Sequence, residues 1–307
     1  MDIPWVKRTE YTVGTARSER RQWACLLLAA LLLCAAGPAR AKAPKLPIDL
    51  SGGKPLSESG FGEGWTYEDP TIRVSVTQSR WRSCDYWVAD IVIGDASQLR
   101  TAPADTFQSG MRVNGERMAR RVNAALAING DYFCYTGIGY IVRQGVTYLN
   151  TLWANRDVLA IDEDGDFHVF PLAKKNSING TVKGKKIINA FFFGPILVQD
   201  GKRVVYIDGV GMAQDEPRQR MAIAQAGPLH YKCICCATHA RGSRGLTLDQ
   251  FATLVAKQGV QTAYNLDGGN SCMMIFAGEK INDRDNPDTR DICDIIYFAS
   301  AWPGDQP

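Results

Sequence analysis

Nine consecutive residues carry the densest chemistry in this chain: Ala263-Tyr264-Asn265-Leu266-Asp267-Gly268-Gly269-Asn270-Ser271. A short apolar run ends in a carboxylate, two glycines, an amide and a hydroxyl. That order holds an acid at the end of a strand, and the glycines let another group come close to the backbone. By itself the stretch also reads as a tight turn in which Asp267 bonds local amides. A second strand end repeats the theme. Residues 125–128 run into Asn129-Gly130-Asp131-Tyr132-Phe133, where Asn-Gly is equally an ordinary hairpin signal. Rings beside acids and amides suit a sugar, which stacks its apolar faces and hydrogen-bonds its hydroxyls.

Other catalytic chemistries lack their residues. The three histidines, His168, His230 and His239, stand beside no convincing nucleophile, and no Gly-x-Ser-x-Gly elbow occurs. There is no Gly-x-Gly-x-x-Gly after the first strand and no phosphate-cradling lysine motif. Asp164-Gly165-Asp166 looks like half a calcium loop, but no bidentate Glu follows at the needed distance, so it reads as a turn. Cys233-x-x-Cys236-x-x-His239 has the spacing of half a zinc site. In a strand, residues three apart face opposite ways, so core packing is the better reading. The candidates that remain are Asn129, Asp131, Arg143, Arg220, Asn265, Asp267 and Ser271. Carboxylates meet charge developing at a sugar carbon and arginine meets a phosphate oxygen, a set that fits a glycosyl phosphate.

Strands must position most of these groups. Alternation over 71–77 and the apolar run 86–93 predict two strands, with Asp90 inside the second needing a partner. Met118, Val122 and Ala125 predict a helix over 114–125. Its Arg117, Arg120 and Arg121 read as a solvated face. Hairpins are predicted at 140–143 with 146–149, and at 158–161 with 167–170. Residues 187–198 are strongly apolar but broken at Gly194-Pro195, and 212–219 are polar and expected to be mobile. Strands follow at 221–226 and 231–237. The clearest helix spans 247–257, with Thr247 and Gln250 as a capping box, an apolar stripe of Leu248, Phe251, Leu254 and Val255, and a stop at Gly259. The strand ending in Asp267 comes next, then strands at 272–276 and 292–299. This pattern predicts an α+β fold: a mixed, curved β-sheet core with few flanking helices, in a single domain over 65–302.

The formal charge of +3 is a property of the first residues. Residues 1–45 hold eight Lys/Arg against three acids, leaving 27 basic and 29 acidic groups. No whole-protein argument for nucleic-acid binding survives that division. The uncharged run 23–36 is too short for an ordinary membrane span and fits an export signal or an N-terminal anchor in 1–43. Ala39-Arg40-Ala41 offers a cleavage site, and 44–64 reads as a linker. The domain is therefore expected outside the cytoplasm, secreted or anchored, touching a membrane only through this segment. Seven cysteines lie beyond it, an odd number, which implies one or two bridges plus buried thiols.

The order of four motifs resembles the phosphodiester glycosidase family. They are Ile128-Asn129-Gly130-Asp131-Tyr132-Phe133, Phe193-Gly194-Pro195-Ile196-Leu197-Val198 with Asp200-Gly201, Arg220-Met221-Ala222-Ile223, and Asn265-Leu266-Asp267-Gly268-Gly269-Asn270-Ser271. Bacterial relatives are often called exopolysaccharide biosynthesis proteins. The chain departs from the pattern at Asn270, at Met221 and in the cysteine-rich strand. The resemblance implies hydrolysis of a sugar-1-phosphodiester, such as one of N-acetylglucosamine, at the anomeric carbon. It gives Asp267 and Asp131 the carboxylate roles and Arg220 the phosphate. Asn129, Gly130, Arg143, Asn265 and Ser271 would hold the substrate, with Gly268 and Gly269 admitting it closely. No cofactor is implied, though a loosely held calcium stays compatible, and the partner is a carbohydrate phosphodiester or surface polysaccharide. The alternatives are a non-catalytic glycan-binding or wall-assembly protein on the same fold, and a metal-dependent phosphodiesterase.

Overall fold

Period-two patterning dominates the chain, and the computed structural model is correspondingly mostly β. It describes residues 43–152, 156–174, 176–204 and 214–304. The expected export segment and part of the polar stretch 212–219 lie outside them. The chain begins with strands β1 (Trp65–Glu68), β2 (Ile72–Trp81), β3 (Cys84–Ile93) and β4 (Leu99–Pro103), then helix α1 (Gly115–Arg121). Next come β5 (Ala124–Asn129), the short helix α2 (Phe133–Thr136), β6 (Gly139–Arg143), β7 (Val146–Thr151), β8 (Val158–Asp162) and β9 (Phe167–Phe170). The middle adds β10 (Thr181–Val182), β11 (Lys185–Phe191), β12 (Ile196–Gln199) and β13 (Lys202–Arg203). The last part holds β14 (Met221–Gly227), β15 (His230–Cys236), helix α3 (Leu248–Ala256), β16 (Thr262–Leu266), β17 (Met274–Phe276), β18 (Glu279–Lys280) and β19 (Asp294–Ala299).

Three sheets result. The largest runs β1-β2-β3-β15-β14-β16-β12-β13, the second β7-β6-β11-β8-β9 with β10 on β11, and the third β18-β17-β5-β19-β4. Every strand pairing among the described residues is antiparallel, so the expected mixed sheet is corrected. The physical reason lies in the connections. Parallel neighbours need long crossovers, usually helical, and this chain spends its length on hairpins and only three α-helices among the described residues.

The predicted hairpins form: β6 and β7 turn at Gln144-Gly145, and β8 and β9 turn around Asp164-Gly165. Asp162 organises the second turn, its Oδ1 accepting from the amides of Asp164 and Asp166. Asp90 finds its partners in His230 and Lys232 across the sheet. Helix α1 is shorter than 114–125. Asn114 caps it by accepting from the amides of Glu116 and Arg117, and the left-handed Asn123 (φ 52°) turns the chain into β5. Helix α3 has its reciprocal Thr247–Gln250 cap. Its Leu248, Phe251, Leu254 and Val255 pack with Leu197, Ala222 and Ile234 of the largest sheet.

Residues 44–64, expected as a linker, lie against the domain. Leu46 is buried, and the buried Arg100 guanidinium donates to the carbonyls of Pro47 and Ser51, at 2.8 and 2.9 Å, and to Tyr297 Oη. Cys134 and Cys293 form a disulfide, and Cys84, Cys233, Cys235, Cys236 and Cys272 are buried thiols. Cys233 and Cys236 fall into different core layers, so the half zinc site is not assembled.

Candidate active site

Strand β16 lies between β14 and β12 in the largest sheet and carries Asp267 just past its end. Strand β5 brings Asn129 to the same place from the third sheet. The Asn129 amide joins the two ends: Nδ2 donates to Asp267 O (2.7 Å) and Oδ1 accepts from Met273 N (3.1 Å). Past Asp267 the backbone folds onto the segment leading into β14, with Gly269 N donating to Gln219 O. Gly268 sits so close to that carbonyl that any Cβ would strike it. Its lack of a side chain therefore serves this internal contact in the first place, rather than the approach of a substrate.

A cleft of about 490 Å³ opens over this junction. Of the residues singled out in the sequence, Arg220, Asn265, Asp267, Gly268 and Gly269 line it. Tyr132, Arg156, Phe193, Arg218, Gln219, Leu266, Asn270 and Arg290 complete its walls. Ser271 is buried beside it, its Oγ accepting from Arg290 Nε (2.7 Å). Arg290 Nη2 also donates to Asp267 Oδ2 (3.0 Å), and Gly268 N donates to Asp267 Oδ1 (2.9 Å). Burial raises the Asp267 carboxyl above its ordinary range, although Ser271, Arg290 and the Gly268 amide pull it back. Arg290 lies over the rings of Tyr132 and Tyr135, which stack on each other at 4.1 Å.

Arg220 is nearly buried and donates to the carbonyls of Leu246 and Glu216. Burial lowers its pKa, as it does for Arg156. Asn265 anchors β16 to the bend at Gly194-Pro195 through Nδ2 to Gly194 O (2.8 Å). Its Oδ1 is buried with no hydrogen-bond partner among the described residues. A buried acceptor in that condition is costly unless a water or a ligand supplies the donor.

Asp131, Gly130, Asn129 and Arg143 are not in the cleft wall. The Asp131 side chain has no solvent exposure and is held on all sides. Its Oδ1 accepts from Arg143 Nη2 (3.0 Å) and its Oδ2 from Phe192 N (3.0 Å). Arg143, itself fully buried, bridges Asp131 to Asp294, Nε to Oδ2 at 2.9 Å. Gly130 packs over the Asp294 carboxylate, where a methyl group would collide. Of the three residues given the catalytic roles, Arg220 and Asp267 therefore share the cleft and Asp131 does not. Asp131 faces inward because a guanidinium twelve residues on takes its charge.

Sequence reasoning missed Arg290, Arg156, Arg218 and Asp294. Arg290 stands in a polar loop with no periodicity, and nothing in its spacing ties it to Asp267. Asp294 opens a strand otherwise read as apolar, and its position there was a usable signal for a buried charge. Burial pushes the Asp294 carboxyl up to about 7; Arg143 opposes this, and the carboxylates of Asp131 and Asp267 add to it. Among the described residues no group of three or more His, Cys, Asp or Glu side chains is placed to hold a metal ion.

Solved structures share the overall fold. The catalytic domain of zebrafish N-acetylglucosamine-1-phosphodiester alpha-N-acetylglucosaminidase, auto-inhibited by its pro-peptide, superposes with a TM-score of 0.60 at 17% identity. The match covers 81% of this chain and 87% of that one. A hypothetical protein from Synechocystis is similar at a TM-score of 0.51 and 18% identity, covering 74% of this chain and 62% of that one. At these identities the likeness is one of fold. No curated protein sequence is similar enough to be matched. The sequence profile of the phosphodiester glycosidases matches residues 122–299, more than half of the chain. The chain belongs to the phosphodiester glycosidase family.

Proposed function

We propose that this protein hydrolyses the glycosidic bond of a sugar-1-phosphodiester, outside the cytoplasm, with Asp267 as the general base. The observation that carries the reading is Asp267 itself: the one carboxylate lining the cleft among the described residues, raised by burial, bonded to Arg290 and sharing the cleft wall with Arg220. In the reaction, a water oxygen bonds to the anomeric carbon while its proton passes to Asp267. The bond from that carbon to the phosphate oxygen breaks, and the phosphomonoester leaves with the electron pair. Such a leaving group needs little acid help, so cations on its oxygens suffice. Arg220 supplies that charge and Arg290 holds the Asp267 carboxylate in place. A sugar hydroxyl donates to Asn265 Oδ1, and Tyr132 offers a ring face. Asp131 takes a positioning role with Arg143, beneath the cleft. One carboxylate acting through water gives inversion at the anomeric carbon.

The test is hydrolysis of a panel of sugar-1-phosphodiesters, N-acetylglucosamine first, in ¹⁸O-water. The label is expected in the sugar hydroxyl, with turnover reduced about 10²–10⁴-fold in Asp267→Asn, the range of a lost general base. Label in the phosphate would mean a phosphodiesterase instead. Binding without turnover in the wild-type protein would leave a glycan-binding role.

A further inference from the structure

Arg290 reaches Asp267 from a loop whose backbone is held at several points. Its own amide donates to Asn270 O (3.0 Å). Two residues on, Ile292 exchanges backbone hydrogen bonds of 3.0 Å with Val113. Cys293 is then bridged to Cys134. These contacts fix the backbone but leave a long side chain with many rotamers, and ordering it costs entropy. The guanidinium must nonetheless meet Ser271 Oγ at 2.7 Å and Asp267 Oδ2 at 3.0 Å together.

Rings guide the side chain. The guanidinium carbon stands 5.6 Å from the Tyr132 centroid and 5.4 Å from that of Tyr135. The two rings stack at 4.1 Å with their planes 12° apart. Near-equal distances therefore set Arg290 against the pair rather than against one ring. Arg112 covers Tyr135 in turn, at 4.6 Å. Tyr132 belongs to the cleft wall and Tyr135 does not. Helix α2, which carries Tyr135, is a turn of four residues with no side-chain cap at Tyr132. So short a helix does not hold itself. Cys134, within that turn, ties it to the Arg290 loop.

On the reading of Asp267 as the base, we propose that Tyr135 is a positioning residue: stacked on Tyr132 and pinned by the Cys134–Cys293 bridge, it holds Arg290 on the Asp267 carboxylate. The ionised carboxylate, which Arg290 favours, is the form that takes a proton from water. Burial raises the Asp267 carboxyl, and Ser271, Arg290 and the Gly268 amide lower it again. Asp294, at the head of β19, is close enough for Asp267 to raise it, and Arg156, Arg218 and Arg220 line the same cleft. Of these groups, Arg290 is the one set against the Tyr135 ring among the described residues. A change confined to that ring therefore reaches Asp267 through Arg290.

The first measurement needs no turnover. The full chain, labelled with ¹³C at its aspartate carboxyls, is titrated by NMR, and Asp267→Asn assigns the resonance. Arg290→Ala is expected to raise the Asp267 midpoint, and Tyr135→Leu to move it the same way. Tyr135→Phe keeps the ring and with it the wild-type midpoint. In the Tyr135→Leu/Arg290→Ala double variant the midpoint goes no further than in Arg290→Ala alone. The folded Cys134→Ala/Cys293→Ala chain shifts as Tyr135→Leu does. Hydrolysis of a sugar-1-phosphodiester is the second measurement. There kcat falls about 3–30-fold in Tyr135→Leu, the range for a cation held against rings, with KM little changed. A wild-type midpoint in Tyr135→Leu or in the bridge variant overturns the proposal, as do additive shifts in the double variant. A wild-type chain that titrates as expected but turns over no sugar-1-phosphodiester defeats the hydrolase reading and leaves the positioning of Arg290 upheld.

Discussion

Asp267 and Asp294 are both held above the ordinary carboxylate range by burial, but only one faces the cleft. Asp294 is enclosed, bonds Arg143 through Oδ2, and has an Oδ1 with no partner among the described residues. A proton there removes the cost of one of two carboxylates sharing a single guanidinium. The folded carboxyl titrates at about 7, against about 3.9 in an unfolded chain. Between those values the native protein holds a proton that the unfolded chain has released. The stabilisation is complete below about pH 4 and is lost as pH rises through about 7. Melting temperatures across this window should therefore fall more steeply for wild type than for Asp294→Asn, which stays neutral throughout. Parallel curves would mean that Asp294 is ionised all along.

Helix α3 makes a prediction at the scale of the element. Thr247→Ala removes a side-chain acceptor from the Gln250 amide and one half of a reciprocal cap. A loss of about 1 kcal/mol is expected from such a change, read from urea unfolding, with the cleft chemistry unaltered. This helix and the hairpins were legible because their signals sit inside one element: a 3.6-residue stripe, a cap three residues long, a glycine turn. Partner choice was not legible. Nothing near Trp87 announces that Cys235 will lie opposite it, nor anything near Ile128 that Ile296 will. The cleft divided the same way. Asp267 and Arg220 could be picked from their strand ends. Whether Asp131 faced solvent or Arg143 depended on how β5, β6 and β11 meet. Arg290 came from a loop that only tertiary structure brings to Asp267.

At the scale of the whole molecule, Cys134–Cys293 closes a loop between residues 159 positions apart and ties α2 to the start of β19. Removing it in a Cys134→Ala/Cys293→Ala chain frees the unfolded state and should cost about 2–5 kcal/mol, measured as a lower denaturant midpoint. An unchanged midpoint would show that the bridge constrains nothing the sheets do not already hold.

The cleft wall draws on Tyr132, Arg156, Phe193, Arg220, Asp267 and Arg290, from connections within all three sheets. The site therefore has no portable piece. A peptide excised around the Asp-Gly-Gly turn would carry the family's signature and none of its surroundings. Grafting the cleft onto another scaffold would mean transplanting the fold. Partial unfolding of any one sheet would also erase the site while much of the chain was still native, so ligand binding would report on the integrity of the whole domain.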